Sequence, residues 1–110
     1  MKESELLSFA ITCLKQSGLV WWRVANGPVK HGGILKKSPI KGFPDVAGVM
    51  PNGRFFAIEL KAADGKLSDD QIGWITKLNQ SGAMAIVLRT KDELREFISG
   101  ASQMKTPLRD

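Results

Sequence analysis

The spacing of apolar residues changes repeatedly along this chain, and each change predicts an element. From residue 3 to 16, Leu6, Leu7, Ala10 and Leu14 fall on one stripe at 100° per residue, with Ile11 and Cys13 at its flanks. That is the pattern of an amphipathic helix, and Gly18 stands where a helix-ending glycine belongs. Residues 19–24 read as a strand, so the adjacent Trp21 and Trp22 point to opposite faces. One belongs to the core and the other to the surface or an interface, where tryptophan is enriched. No period is visible from 26 to 41, where glycine and proline are frequent, and the stretch reads as a long loop. Two apolar runs, 46–50 and 54–60, then flank Pro51-Asn52-Gly53 and predict a hairpin. Both faces of that hairpin are mostly apolar, which predicts a sheet covered on both sides.

Ser68 has the position of an N-cap, with Asp69 and Asp70 in the first turn of a helix that runs to about residue 80. Leu67, Trp74, Ile75 and Leu78 form its stripe, and Gly82 ends it. Residues 83–89 read as another strand. Thr90-x-x-Glu93 is a capping box that opens a last helix, with Leu94, Phe97 and Ile98 as its apolar face and Gly100 as its end. Residues 101–110 are a polar tail. The order α-β-β-β-α-β-α predicts one α/β domain over residues 1–100, a small mixed β-sheet flanked by helices.

The turn of the hairpin decides its chemistry. A two-residue loop would set Asp45 opposite Leu60 and send Asp45 and Glu59 to opposite faces. A three-residue loop, with Pro51-Asn52-Gly53 as a type I turn and glycine in the bulge, sets Asp45 opposite Glu59 instead, and the residue types favour it. Lys61 then shares the face of Glu59. Carboxylates on directly opposed residues, with Cβ atoms roughly 5 Å apart, repel one another unless a cation lies between them. A few hard oxygen ligands favour Mg²⁺ or Mn²⁺ over Zn²⁺. Without a cation, the same trio would form a cross-strand salt bridge.

Composition narrows the field. A chain of 110 residues supports a single core. One cysteine and one histidine exclude an internal disulfide and a Cys/His zinc site. The chain has neither a long apolar span nor a signal-peptide pattern, so it is expected to be intracellular, with no membrane partner. The net charge of +5 points to a polyanion such as nucleic acid. Arg23, Lys30, Lys36, Lys37 and Lys41 gather in and beside the unpatterned stretch, where they suit phosphate contacts; His31 among them reads as a surface histidine.

Two polar residues fall on apolar stripes, and each has two readings. Glu3 either belongs to a fraying first turn, where the helix dipole favours it, or meets a buried partner. Gln71 either closes a capping box with Ser68 or turns inward to a metal ligand or an attacking water. For one side chain in one rotamer, these two uses are expected to exclude one another.

Taken together, Glu3, Trp22-Arg23, Asn26-Gly27, Gly42-x-Pro44-Asp45, Glu59-Leu60-Lys61 and Leu67-Ser68-x-x-Gln71 resemble the VRR-NUC (virus-type replication-repair nuclease) family of the PD-(D/E)XK superfamily. The resemblance runs from about Glu3 to Ile98. It implies a restriction-endonuclease-like core and Mg²⁺- or Mn²⁺-dependent hydrolysis of DNA phosphodiesters. Asp45 and Glu59 would be metal ligands, together with the Leu60 backbone carbonyl. Glu3 would be a third acidic group, Lys61 would hold or activate the water, and Gln71 would face the site. Compact stand-alone members resemble junction-resolving enzymes of phages, which implies branched DNA as substrate, a homodimer, and the cytoplasm of a bacterium or infected host. A non-catalytic DNA-binding module of the same fold is the rival reading; it would be expected to have lost one of Asp45, Glu59 and Lys61.

Overall fold

The computed structural model describes residues 1–25 and 27–105. In chain order the elements are α1 (Glu3–Ser17), β1 (Val20–Arg23), β2 (Val29–His31), β3 (Ile34–Lys36), β4 (Val46–Val49), β5 (Phe55–Leu60), α2 (Asp69–Gln80), β6 (Met84–Leu88) and α3 (Lys91–Ser102). The mixed α/β class is as the sequence predicts. Asn26 and residues 106–110, which belong to the Asn-Gly pair and the polar tail, lie outside the described residues.

β1, β4, β5 and β6 form one sheet in that order, antiparallel from β1 to β5 and parallel between β5 and β6. α2 is the crossover that a parallel pair requires. On one face, Val46, Phe56, Ile58 and Leu60 pack with Leu6, Ala10 and Leu14 of α1 and with Leu94 and Ile98 of α3. Phe56, Ile58 and Leu60 have no exposure at all, and each such side chain contributes about 1.5–3 kcal/mol relative to an exposed position. α2 covers the opposite face more loosely and has no fully buried residue. Of the paired tryptophans, Trp21 packs on the core. Trp22 is 44% exposed, against Phe55 at 6.2 Å between ring centroids.

Two expectations need correction. The stretch from 26 to 41 is not a structureless loop, because β2 and β3 pair there as a separate two-stranded sheet. Gly32 and Gly33 both have positive φ, 57° and 83°, and form the two-residue turn between them, which suits the right-handed twist of a ribbon. Gly100 does not end α3 either. The helix runs on to Ser102, and Ala101 is buried in the core. A glycine inside a helix costs about 1 kcal/mol relative to alanine, and the burial of Ala101 and the contacts around it offset that.

Gly48 matters for a different reason. A Cβ at this position would overlap the Phe56 ring and the Val20 carbonyl oxygen of the neighbouring strand. Gly48→Ala is therefore expected to lower unfolding free energy by roughly 3 kcal/mol, read from a lower midpoint in urea at unchanged slope.

Candidate active site

The site is assembled by the turn that joins β4 and β5. Gly53 has φ of 87° and donates its N–H to the Met50 carbonyl at 2.8 Å, and Asn52 Oδ1 accepts from Arg54 N at 2.9 Å. Met50 N in turn donates to the Arg54 carbonyl at 2.9 Å, which closes a three-residue loop. Val46 consequently pairs with Ile58, and one step further Asp45 stands opposite Glu59. This is the register predicted from the turn residues.

Asp45 is held on two sides. Its Oδ2 accepts from Leu60 N at 2.8 Å, and its carbonyl accepts from Val24 N at 2.9 Å. Gly42 lets the approach to Asp45 lie tight against α2. Its φ is +84°, and a Cβ there would come within 2.6 Å of Asp70 Cβ, so no other residue fits without displacing backbone. The same segment is fastened by Trp74 Nε1, which donates to the Lys41 carbonyl at 3.0 Å, and by an edge-on contact of Phe43 with Trp74 at 5.0 Å.

Glu59 is 1% exposed, the one charged residue type found in the core among the described residues. Its pKa is pushed up to about 9 from the ordinary 4.5, first by burial and then by the neighbouring Asp45 charge, against the opposing pull of Lys61. Its Oε1 is buried with no hydrogen-bond partner among the described residues. α1 brings its first turn to the same place, so that one carboxylate oxygen from each of Glu3, Asp45 and Glu59 lies within 4.8 Å of the others. Three converging carboxylates, one of them buried and with an unpartnered oxygen, are the arrangement a hard divalent cation satisfies. Glu3 is an exposed carboxylate in the first turn of α1, with one oxygen close to those of Asp45 and Glu59.

Gln71 also does both things, against the expectation that they exclude one another. Its Oε1 accepts from Ser68 N at 2.8 Å, and Ser68 Oγ accepts from Gln71 N at 3.2 Å, completing the capping box. Its Nε2 donates to Glu59 Oε2 at 3.4 Å. A side-chain amide has an acceptor and a donor end, and here one end caps the helix while the other reaches the carboxylate. The cap thereby fixes the direction of the donor.

Lys61 follows β5, half-buried, and makes no ion pair within 4 Å among the described residues. The loop beyond it depends on a residue that the sequence does not single out. Arg89 Nη1 donates to the carbonyls of Gly65 at 2.7 Å, Ala62 at 2.8 Å and Ala63 at 3.4 Å. We expect Arg89→Ala to release this turn, displace Lys61 and lower the catalytic turnover of a site that uses Lys61 roughly ten- to a hundred-fold. KM should stay near wild type and Arg89→Lys should recover part of the loss; equal effects on kcat and KM would argue against a positioning role.

Arg23, Lys30, Lys36 and Lys37 are exposed and without an ion pair among the described residues. Lys41 lies 3.7 Å from Asp70, but both side chains are more than half exposed, so the pair contributes little.

Residues 2–92 of the 110 match the model of the VRR-NUC domain family. The chain belongs to this family, and the family implies a nuclease of the PD-(D/E)XK type. No curated protein and no solved structure matches the chain.

Proposed function

We propose that this chain is a Mg²⁺- or Mn²⁺-dependent endodeoxyribonuclease that acts on branched DNA. The observation that carries this reading is the convergence of one carboxylate oxygen each from Glu3, Asp45 and Glu59, the last of which also holds a buried, unpartnered oxygen. Asp45, Glu59 and Glu3 would hold the cation, with the Leu60 carbonyl as a further oxygen. All of these donors are hard, which favours Mg²⁺ or Mn²⁺. When bound, such a cation supplies Lewis acidity toward a phosphoryl oxygen and offsets the negative charge that grows in the transition state.

The chain's own groups account for the rest. Gln71 orients the Glu59 carboxylate through its Nε2. Leu60 N holds Asp45 in place, so both acids meet the substrate without reorganising. Lys61 donates hydrogen bonds that position the attacking water and offset the charge of a phosphate oxygen. Arg23, Lys30, Lys36, Lys37 and Lys41 carry the flanking backbone phosphates.

Branched DNA and a homodimer belong to the same proposal. Two symmetric cuts across a junction need two sites related by a twofold axis. The edge strand β1 offers apolar surface for a second copy, with Val20 63% and Trp22 44% exposed. An intracellular setting goes with that substrate. The test is cleavage of a four-way junction beside a flap, a linear duplex and single strands, in Mg²⁺, Mn²⁺ or EDTA, with sedimentation at micromolar protein. Paired, metal-dependent cuts by a dimer are expected. Cutting of flaps or linear DNA alone, or a monomer, removes the junction reading. Binding without cleavage in either metal removes the enzyme and leaves a DNA-binding module.

A further inference from the structure

The ribbon β2–β3 has no role in the geometry of the three carboxylates, yet the excursion that contains it leaves and returns beside Asp45. The Val24 N–H to Asp45 carbonyl bond, 2.9 Å, joins the two points where the segment leaves and returns. All of residues 25–44 is therefore an excursion that begins and ends at the backbone of Asp45. From Arg23 to Pro44 the sequence has Arg23, Lys30, Lys36, Lys37 and Lys41, and no aspartate or glutamate. The remaining eleven lysines and arginines balance the eleven acids, so this segment holds the whole net charge of +5.

The register of the ribbon adds a second feature. Lys30 pairs with Leu35, and His31 with Ile34. Directly opposed residues share a face and neighbours alternate. One face of the tip therefore presents Lys30 beside Leu35, and the other His31 beside Ile34. Ile34 is 63% and Leu35 70% exposed. A single exposed aliphatic residue needs no explanation. Two in succession, on opposite faces of a thin ribbon that has lysines and no acidic residue, have no core to serve. The apex between them is Gly32-Gly33, with no side chain and open space around both residues.

We infer that the β2–β3 ribbon is a DNA-engaging arm whose lysines hold backbone phosphates while Ile34 and Leu35 pack against unstacked bases at the branch point. The inference rests on the branched-DNA reading above and adds the element that recognises the branch. A two-stranded ribbon is narrow enough to enter a DNA groove. Apolar side chains wedged at a base step relieve their own exposure and stabilise the unstacked state. An intact duplex resists that insertion, whereas a branch already offers exposed base faces. The aliphatic pair thus supplies preference for branched over linear DNA, and the lysines supply affinity that does not discriminate.

The test is binding in Ca²⁺ of a four-way junction with 2-aminopurine at the branch point, beside a linear duplex of the same sequence. It compares wild type, Ile34→Ser with Leu35→Ser, and Lys36→Ala with Lys37→Ala. The serine pair is expected to lose the 2-aminopurine fluorescence rise and about tenfold in junction affinity, with duplex affinity and salt dependence unchanged. The alanine pair is expected to weaken both DNAs and to reduce the slope of log K against log salt by about two. The arm is overturned if the serine pair keeps the fluorescence rise and junction affinity, if it weakens both DNAs equally, or if it merely turns a dimer into a monomer. Cleavage by wild type in Mg²⁺, run in parallel, separates the two readings. A fluorescence rise without cutting removes the nuclease and keeps the arm; cutting without a rise removes the arm alone.

Discussion

Lys61→Ala is expected to reduce single-turnover cleavage by about 10³-fold while leaving folding and DNA binding close to wild type. The separation follows from what the side chain does and does not touch. Its stem packs beside Gly65, where a Cβ would come 3.4 Å from Lys61 Cδ. Its ammonium enters no ion pair among the described residues, so truncation leaves no buried charge unpartnered and costs little stability. The ammonium is nevertheless close enough to Glu59 to oppose the rise in that residue's pKa. A cation kept beside the carboxylate cluster but not consumed by it is available to a phosphate oxygen and to the attacking water. Lys61→Arg keeps the charge but widens and flattens the donor, and it should recover only part of the rate. Cleavage by Lys61→Ala within tenfold of wild type would remove Lys61 from the chemistry. A large fall in its urea midpoint would instead place the residue in the fold.

Much of this site is legible in the sequence because the turn is. Pro51-Asn52-Gly53 favours one loop length over the other, that length fixes the register, and the register places Asp45 opposite Glu59 before any tertiary contact is considered. Glu3 is visible in the same way, as a carboxylate on a stripe that otherwise reads as core. The ribbon is hidden because its strands have three residues each, and with no core beneath them their apolar positions follow no burial period. Its one local signal is Gly32-Gly33, a turn dipeptide between Lys30-His31 and Ile34-Leu35. Arg89 leaves no signal, since carbonyl groups are the acceptors and every residue has one. The two uses of Gln71 look exclusive only when a side chain is counted as one group. The amide has two ends, and only three-dimensional placement shows that Glu59 lies where the second end points.

Metal binding at pH 7 is expected to release close to one proton per cation, and Glu59 is the source. Before the cation arrives, burial and the Asp45 charge hold the Glu59 pKa near 9, so the carboxyl is protonated at neutral pH. A cation that takes Glu59 as a ligand must displace that proton. Calorimetric titration with Mg²⁺ or Mn²⁺ in two buffers of different ionisation enthalpy counts it, and the release should fade above about pH 9. The same shift sets the stability of the metal-free protein. Between about 4.5 and 9 the folded chain holds a proton on Glu59 that the unfolded chain has lost. The stabilisation is complete below that window and is lost as pH rises through it. In EDTA the wild-type melting temperature should therefore fall across this range. Glu59→Gln keeps the side chain neutral at every pH and removes this component of the fall, so its advantage over wild type should open through the window and level off above about 9. The same substitution should remove the proton release and reduce cleavage by about 10³-fold, because a neutral amide is a poor ligand for a hard cation. A metal-free melting profile identical for wild type and Glu59→Gln, with no proton released on titration, would mean that Glu59 is already ionised and that the cation binds elsewhere. Opposite effects of one uncharged substitution, more stable without metal and inactive with it, are the expected mark of a carboxylate kept buried for a cation rather than for the fold.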